Sequence, residues 1–335
     1  MRPDVERWLR RRTSRSADWD PDHLLAAKGA TRVSVVLPAL DEESTIGALV
    51  AEVHGALVSD GGGNGLVDEL VVVDSGSADA TARVAAAAGA RVVRREDVLP
   101  HIPAVPGKGE AMWRSLACTS GDVVVFLDAD LEEFSAAYVT GLLGPLLTDP
   151  SVVLVKAVYD RPLRTDGQHV PAGGGRVTEL VARPLLALHW PELSGVVQPL
   201  AGEYAARRRL LERVRFPTGY GVELALLVDT LALAGLDAIA QVDLGVRLHR
   251  HHDDQRLGLM ASEIMQVALD RLQQQGRLRL RDRVNPTLSQ FAPAAGEGDE
   301  RGGRLVTTHD VGLVQRPPMA GVPGYLPTTR GDRAS

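Results

Sequence analysis

A single cysteine, Cys118, stands in 335 residues, which excludes an internal disulfide and any cysteine-rich zinc centre. Its apolar neighbourhood assigns it to the core as an inert thiol rather than a nucleophile. Long uncharged apolar runs are missing too. No stretch of about 18 or more such residues occurs, so no transmembrane helix is expected. The first residues, Met1-Arg2-Pro3-Asp4-Val5-Glu6-Arg7, lack the apolar core of a signal peptide, and a cytoplasmic location is expected. Positive charge is not in excess: 37 Lys and Arg against 43 Asp and Glu give a net charge of -6. Neither nucleic acid nor an anionic membrane surface is therefore expected as the main partner. The chain does have 44% hydrophobic residues, at a length that allows a substantial core in two domains or in one large α/β domain with additions.

Residues 1–30 are polar and basic, with Trp8, Leu9, Trp19, Leu24 and Leu25 available to pack this N-terminal extension on the main body. Strands and helices alternate from 31 to 150. Val33 to Leu37 is a buried strand ending at Pro38, and the next helix carries Ile46, Leu49, Val50 and Val53 on one face with Ser44 as its cap. Gly61 to Gly65 form a loop. Glu69 to Asp74 is a second strand, and an alanine-rich helix from about Asp79 stops at Gly89. Arg91-Val92-Val93, a helix from Gly107 to Leu116 and the strand Val123 to Leu127 complete this half. The alternation predicts a mainly parallel, doubly wound sheet of the α/β class with flanking helices. From 151 to 291 the pattern is less regular. It holds a strand at Val152 to Val155, a loop at Gly173-Gly174-Gly175, helical stretches near 176–190 and 222–235, a strand at Gln241 to Val246 and a long helix near 257–275. From 292 to 335 Pro, Gly and charge without apolar periodicity predict a poorly ordered tail.

Asp128-Ala129-Asp130 closes the apolar run Val123 to Leu127. Two carboxylates at the carboxyl end of a buried strand can hold a hard divalent cation, where ligands of open α/β sheets gather. The bare pattern is weak, since Asp18-Trp19-Asp20 and Asp20-Pro21-Asp22 also spell it. Pro38-Ala39-Leu40-Asp41-Glu42-Glu43 ends the first strand, where its acids can hydrogen-bond a ribose or base, or favour the positive end of the next helix. Asp74-Ser75-Gly76-Ser77 ends the second strand and can meet a nucleobase edge or cap a helix through Ser77. Pro106-Gly107-Lys108-Gly109 offers a cation and backbone donors at a helix start, suited to phosphate, without the spacing of a P-loop. An exposed loop lysine is the other reading. Gly175-Arg176-Val177-Thr178 can grip a small anion at a helix start, or be a plain loop. Arg247-Leu248-His249-Arg250-His251-His252 can complete a metal site and neutralise phosphates, or form an exposed basic turn.

The order of these motifs is more specific than any one of them. Pro-Ala-Leu-Asp-Glu-Glu, Asp-Ser-Gly-Ser, Gly-Lys-Gly and Asp-Ala-Asp on successive strand-to-helix turns resemble the GT-A glycosyltransferases. Gly-Gly-Gly-Arg-Val-Thr-Glu-Leu-Val-Ala-Arg-Pro at 173–184, Gly-Tyr-Gly-Val-Glu at 219–223 and Gly-Val-Arg-Leu-His-Arg at 245–250 are similar to signatures of the glucosyl-3-phosphoglycerate synthase family. That family also includes mannosyl-3-phosphoglycerate synthases. The resemblance spans roughly residues 8 to 290. It implies a GT-A, Rossmann-like fold with a nucleotide-sugar half and an acceptor half, and metal-dependent, retaining glucosyl transfer from UDP-glucose to 3-phosphoglycerate by a homodimer. Pro38, Ala39, Leu40, Asp41 and Glu42, with Ser75, would surround the uridine. Lys108 would reach the diphosphate, Asp128 with Ala129 the ribose or sugar, and Tyr220, Gly221, Val222 and Glu223 the transferred sugar, with Arg247 also on the donor. Lys108, Asp128 and Glu223 would carry the chemistry. Asp130 and His249 would hold Mg2+ or Mn2+, and Gly175, Arg176, Val177 and Thr178 the acceptor. Family members place an asparagine that helps to hold the acceptor two residues after the metal histidine; this chain has His251 there, which the resemblance would put at the acceptor.

Overall fold

Runs of β-branched and apolar residues become strands buried on both faces, as parallel sheets require. The computed structural model describes residues 1–59, 65–160, 163–165, 168–170, 175–246, 254–293 and 304–326. In chain order the strands are β1 (Thr13–Arg15), β2 (Val33–Ala39), β3 (Glu69–Asp74), β4 (Arg91–Arg94), β5 (Val123–Phe126), β6 (Leu154–Asp160), β7 (Leu163–Thr165) and β8 (Gln168–Val170). They continue as β9 (Tyr204–Arg207), β10 (Phe216–Pro217), β11 (Ile239–Val246), β12 (Thr287–Pro293), β13 (Arg304–Asp310) and β14 (Gln315–Arg316). The helices are α1 (Pro3–Arg12), α2 (Pro21–Lys28), α3 (Ile46–Leu57), α4 (Thr81–Ala87), α5 (Lys108–Cys118) and α6 (Ala137–Thr148). After these come α7 (Arg183–His189), α8 (Arg208–Leu211), α9 (Val222–Ala234) and α10 (Asp254–Gln274).

Among the described residues eight strands form the central sheet, in the order β1-β11-β6-β9-β5-β2-β3-β4. β9 runs antiparallel to both its neighbours, and the other pairs are parallel. The carboxyl ends of β2, β3 and β5 therefore open at one edge. Alternation along the strands feeds two apolar layers. Val33, Val35 and Leu37 pack with Ile46 and Leu49 of α3 and Leu142 of α6. Val36, Val71 and Phe126 pack with Trp113, Leu224 and Ile264 of α5, α9 and α10. This is the expected α/β architecture. Among the described residues no helix is long and apolar enough to cross a membrane.

Among the described residues, both terminal regions are built into the body more deeply than composition suggests. The N-terminal extension buries Trp8 and Leu24, and Trp8 Nε1 donates to the Ile239 carbonyl at 2.8 Å. It also adds β1 to the sheet edge beside β11, Thr13 opposite Gln241. β9 is invisible in the sequence, because Tyr204-Ala205-Ala206-Arg207 favours helix by propensity; full burial between β5 and β6 overrides that preference. Ser44 is not the cap of α3: Thr45 holds the N-cap position, its hydroxyl turned elsewhere.

The expectation of a poorly ordered tail from 292 is corrected for its described part. β12 and β13 pair over seven residues each, and β14 pairs with β10. Met319 is 0% exposed and Val322 5%, both in the layer around Trp113. Tail residues contribute single anchors at irregular spacing, so periodicity could not reveal them. Met319→Ala removes a fully buried side chain and should cost about 2–5 kcal/mol of stability. Urea unfolding of the two proteins measures it, and a loss near zero would mean that the tail is not docked in solution.

Candidate active site

Lys108 opens α5 and is fixed by the glycines on either side. At Gly107 φ is +119°, and a Cβ there would stand 2.1 Å from the Thr218 carbonyl oxygen. At Gly109 it would stand 1.9 Å from the Pro217 carbonyl oxygen. Hydrogen in place of a side chain lets the 217–218 backbone lie across the turn. The lysine Nζ then donates to Asp128 Oδ1 at 2.5 Å and to Glu223 Oε1 at 3.0 Å. Asp128 follows β5, and Glu223 lies in the first turn of α9, where a carboxylate is favoured by the helix dipole. Burial opposes the Lys108 charge, but Asp128 and Glu223 outweigh it and hold its pKa well above the ordinary lysine value.

Beneath this trio lies a second, buried lysine. Lys156 on β6 is 1% exposed, its Nζ donates to the Ala201 carbonyl, and it sits 4.5 Å from the centre of the Tyr204 ring. Gly202 presses on Asp128: a Cβ there would lie 2.2 Å from Asp128 Oδ2. The 201–204 segment thus joins Lys156 to the carboxylate above it. Burial lowers the Lys156 pKa to about 8, and Lys108 adds to that, against Glu223 and Glu203. Tyr204, also buried, is pushed well above its ordinary value and donates to Met112 Sδ at 3.4 Å.

The loops after β2 and β3 are laced together. Asp41 adopts φ +57°, its N–H donates to Ser77 Oγ at 3.0 Å, and its carboxylate accepts the Ala78 N–H at 2.7 Å. Ser77 donates to Asp74 Oδ1, so it ties the two loops rather than capping α4. The Glu42 N–H donates to Thr81 Oγ1 at 2.7 Å, and Ser75 N–H to the Ala39 carbonyl at 2.9 Å. Thr45 Oγ1 donates to the Ala129 carbonyl at 2.7 Å and pins the Asp128-Ala129-Asp130 turn to the same loop. The loops after β2 and β3 are thereby fixed to each other and to the turn that carries Asp128.

Tyr220, Gly221 and Val222 precede Glu223. The Tyr220 N–H donates to Glu263 Oε2 of α10 at 2.7 Å, and its hydroxyl accepts from Arg256 at 3.3 Å. Tyr220 also lines a cavity of about 650 Å³ with Arg256, Glu263, Gln290 and His309, so it links the cluster to the β12–β13 ribbon. Gly175 takes φ +82°, its carbonyl accepts the Glu179 N–H at 3.0 Å, and Arg176 is exposed above buried Val177 and Thr178. Asp130 is half-buried at the end of the turn after β5. Arg247, His249 and His251 lie outside the described residues, as do Gly173 and Gly174. Among the described residues no three His, Cys, Asp or Glu side chains come together as a metal site. Sequence reasoning missed Thr45, Lys156, Gly202 and Glu263. A lysine inside the run Val152-Val153-Leu154-Val155-Lys156-Ala157-Val158 was the available signal for one of them; the others carry none.

A model of the family described as Glycosyl transferase family 2 matches residues 34–214. Glucosyl-3-phosphoglycerate synthase of Mycolicibacterium paratuberculosis is 49% identical over 318 residues, covering 94% of this chain and 92% of that protein. The crystal structure of glucosyl-3-phosphoglycerate synthase from Mycobacterium tuberculosis with Mn2+, UDP-glucose and phosphoglyceric acid is similar at TM-score 0.77 and 48% identity. That similarity covers 90% of this chain and 94% of the other. The same enzyme with Mg2+ and UDP gives TM-score 0.79 at 48% identity, over 92% and 97% of the two chains.

The buried lysine makes stability depend on pH in a defined direction. Between about 8 and the ordinary lysine value of 10.5, the unfolded chain keeps a proton that folded Lys156 releases. Raising pH through that window therefore stabilises the wild type relative to Lys156→Met, while below about 8 the difference is constant. Urea unfolding of both proteins on either side of the window checks this. Parallel pH profiles would show an unperturbed lysine.

Proposed function

The chain belongs to glycosyl transferase family 2, in the branch of the glucosyl-3-phosphoglycerate synthases, and on that footing we propose that it transfers glucose from UDP-glucose to the carbon-2 hydroxyl of 3-phosphoglycerate. The observation that carries the reading is the meeting of Lys108, Asp128 and Glu223 at the carboxyl edge of the sheet. Relatives with this architecture are crystallised with UDP-glucose and phosphoglyceric acid.

In this reading Pro38, Ala39, Leu40, Asp41 and Glu42 with Ser75 border the uridine, and Arg247 joins them on the donor. Asp41 also holds its own loop in place, because its Oδ1 accepts the Ala78 N–H. Lys108 faces the diphosphate as a preorganised cation, stabilising charge that develops as the anomeric C–O bond breaks. Asp128, with Ala129, meets the ribose or sugar. Tyr220, Gly221, Val222 and Glu223 border the transferred glucose. Gly175, Arg176, Val177 and Thr178, with His251, orient the acceptor so that an encounter becomes an aligned attack.

The charges fit a divalent cation. Asp128 and Glu223 share one ammonium, Asp130 adds a further carboxylate, and a diphosphate would add more negative charge. Hard carboxylate oxygens are suitable ligands, and we assign Asp130 and His249 to the ion. When bound, Mg2+ or Mn2+ supplies Lewis-acid stabilisation of the departing diphosphate. The acceptor hydroxyl oxygen forms its bond to the anomeric carbon as the bond to the diphosphate breaks, and its proton passes to the leaving phosphate. Attack on the same face retains the anomeric configuration.

The proposal includes a homodimer in the cytoplasm. Phe291 and Val306 stand opposite each other on the β12–β13 ribbon and are 60% and 57% exposed, and a second copy is a suitable cover for that face.

Three measurements test the assignment. Asp130→Ala should remove most turnover with the fold intact, and a chelator should do the same to the wild type, reversibly. Full activity in excess chelator would refute the cation. Arg176→Lys keeps the charge and loses the planar fork, so it should raise the KM for 3-phosphoglycerate about ten- to a hundredfold with that for UDP-glucose unchanged. An unchanged acceptor KM would place the acceptor elsewhere.

A further inference from the structure

The tail reaches the Lys108 turn by two independent routes. The first is through backbone. β14 pairs with β10, Phe216 opposite Arg316 and Pro217 opposite Gln315. The Thr218 N–H and hydroxyl both donate to the Val314 carbonyl, at 3.0 and 3.3 Å. Thr218 in turn accepts the Glu110 N–H at 3.4 Å, and the Pro217 and Thr218 carbonyls are the atoms that crowd Gly109 and Gly107. A two-residue strand is weak by itself, yet it braces the backbone against which the glycines close.

The second route is a buried charge. Glu110, two residues beyond Lys108, is 0% exposed. Arg114 donates to its Oε1 at 2.6 Å from one helical turn away. Arg316, 206 positions distant, donates to Oε2 at 2.5 Å and to Oε1 at 2.7 Å, and to the Pro103 carbonyl at 2.6 Å. Arg114 also grips the Leu99 and Ile102 carbonyls, at 3.2 and 2.6 Å. The two guanidiniums thus hold the carbonyls of residues 98–103, which lead into Gly107, with Glu110 as the shared anchor. α10 secures the strap in its turn: Arg271 donates to Gln315 Oε1 at 2.6 Å, and Gln315 to Asp270 Oδ2 at 2.9 Å.

Neutralising Glu110 needs one arginine, and Arg114 is already in place on the same helix. The second arginine adds geometry rather than charge balance, because it ties α5 to the tail and to β10 at once. We propose that the strap from Val314 to Pro317 positions the diphosphate-facing Lys108, with Arg316 as the positioning residue that couples it to α5. The kinetic meaning of this rests on the transfer reaction proposed above; the bracing of the turn does not.

A double-mutant cycle separates positioning from general destabilisation. Arg316→Leu in the wild type should lower kcat at least about tenfold, with the KM for 3-phosphoglycerate unchanged, and Arg316→Lys should recover part of it. In a Lys108→Ala background the same substitution should change kcat less than about twofold, because the group it positions is gone. Equal losses in both backgrounds, or no loss in either, would overturn the proposal. Hydrogen exchange tests the bracing without any substrate. The Glu110 and Thr218 amides, which donate to the Thr218 and Val314 carbonyls, should exchange at least about tenfold faster in Arg316→Leu, with those of β2 and β3 unaltered. Unchanged exchange at both overturns the bracing even if the protein proves inactive with UDP-glucose. Should Arg316→Leu fail to fold, Arg316→Lys enters the same cycle and the same exchange measurement, with smaller effects in the same directions.

Discussion

Burial pulls the Lys108 ammonium towards neutrality, and the Asp128 and Glu223 carboxylates pull it towards charge; the carboxylates prevail. That balance is the constraint on which the rest of the site depends. Each partner comes from a different element: the lysine from the start of α5, Asp128 from the end of β5, Glu223 from the first turn of α9. None of the three can be moved without leaving a partly buried charge unmatched, which is expensive in a low-dielectric setting. The surrounding glycines serve this requirement. Gly107, Gly109 and Gly202 sit where backbone or carboxylate must come closer than any side chain allows.

The site also shows how charge is graded with depth. Lys108 stands at the rim with its pKa held high, while Lys156 lies below it with burial pressing its pKa down. The Tyr204 ring face and the Ala201 carbonyl receive the deeper ammonium. Between the two levels the 201–204 segment carries Gly202 against Asp128.

Most of residues 31–150 was legible in the sequence, since β2, β3 and β5 are continuous apolar runs and α3 carries a clean amphipathic face. The residues closing those strands were legible for the same reason: a run that ends marks a sheet edge. Lys108, Asp128 and Glu223 each stand in a motif the sequence displays, and the fold brings the three side chains together. The fates of Asp41 and Ser77 were not legible, because an acid or a hydroxyl after a strand can face a ligand or a neighbouring loop. The fold sends the Asp41 carboxylate to the Ala78 N–H and the Ser77 hydroxyl to Asp74.

By itself the sequence determined the α/β class, the order of its strand-end motifs and the membership those motifs imply, because local periodicity and short spacings survive in one dimension. Tertiary structure decided what depends on distant residues meeting. β9 enters the sheet against its own propensity because burial between β5 and β6 outweighs a few tenths of a kilocalorie per residue. The tail is docked because Arg316 finds Glu110 across 206 positions and Met319 finds the layer around Trp113. A pairing of that span leaves no period and no composition signal, so a stretch of Pro, Gly and charge gave no sign of it.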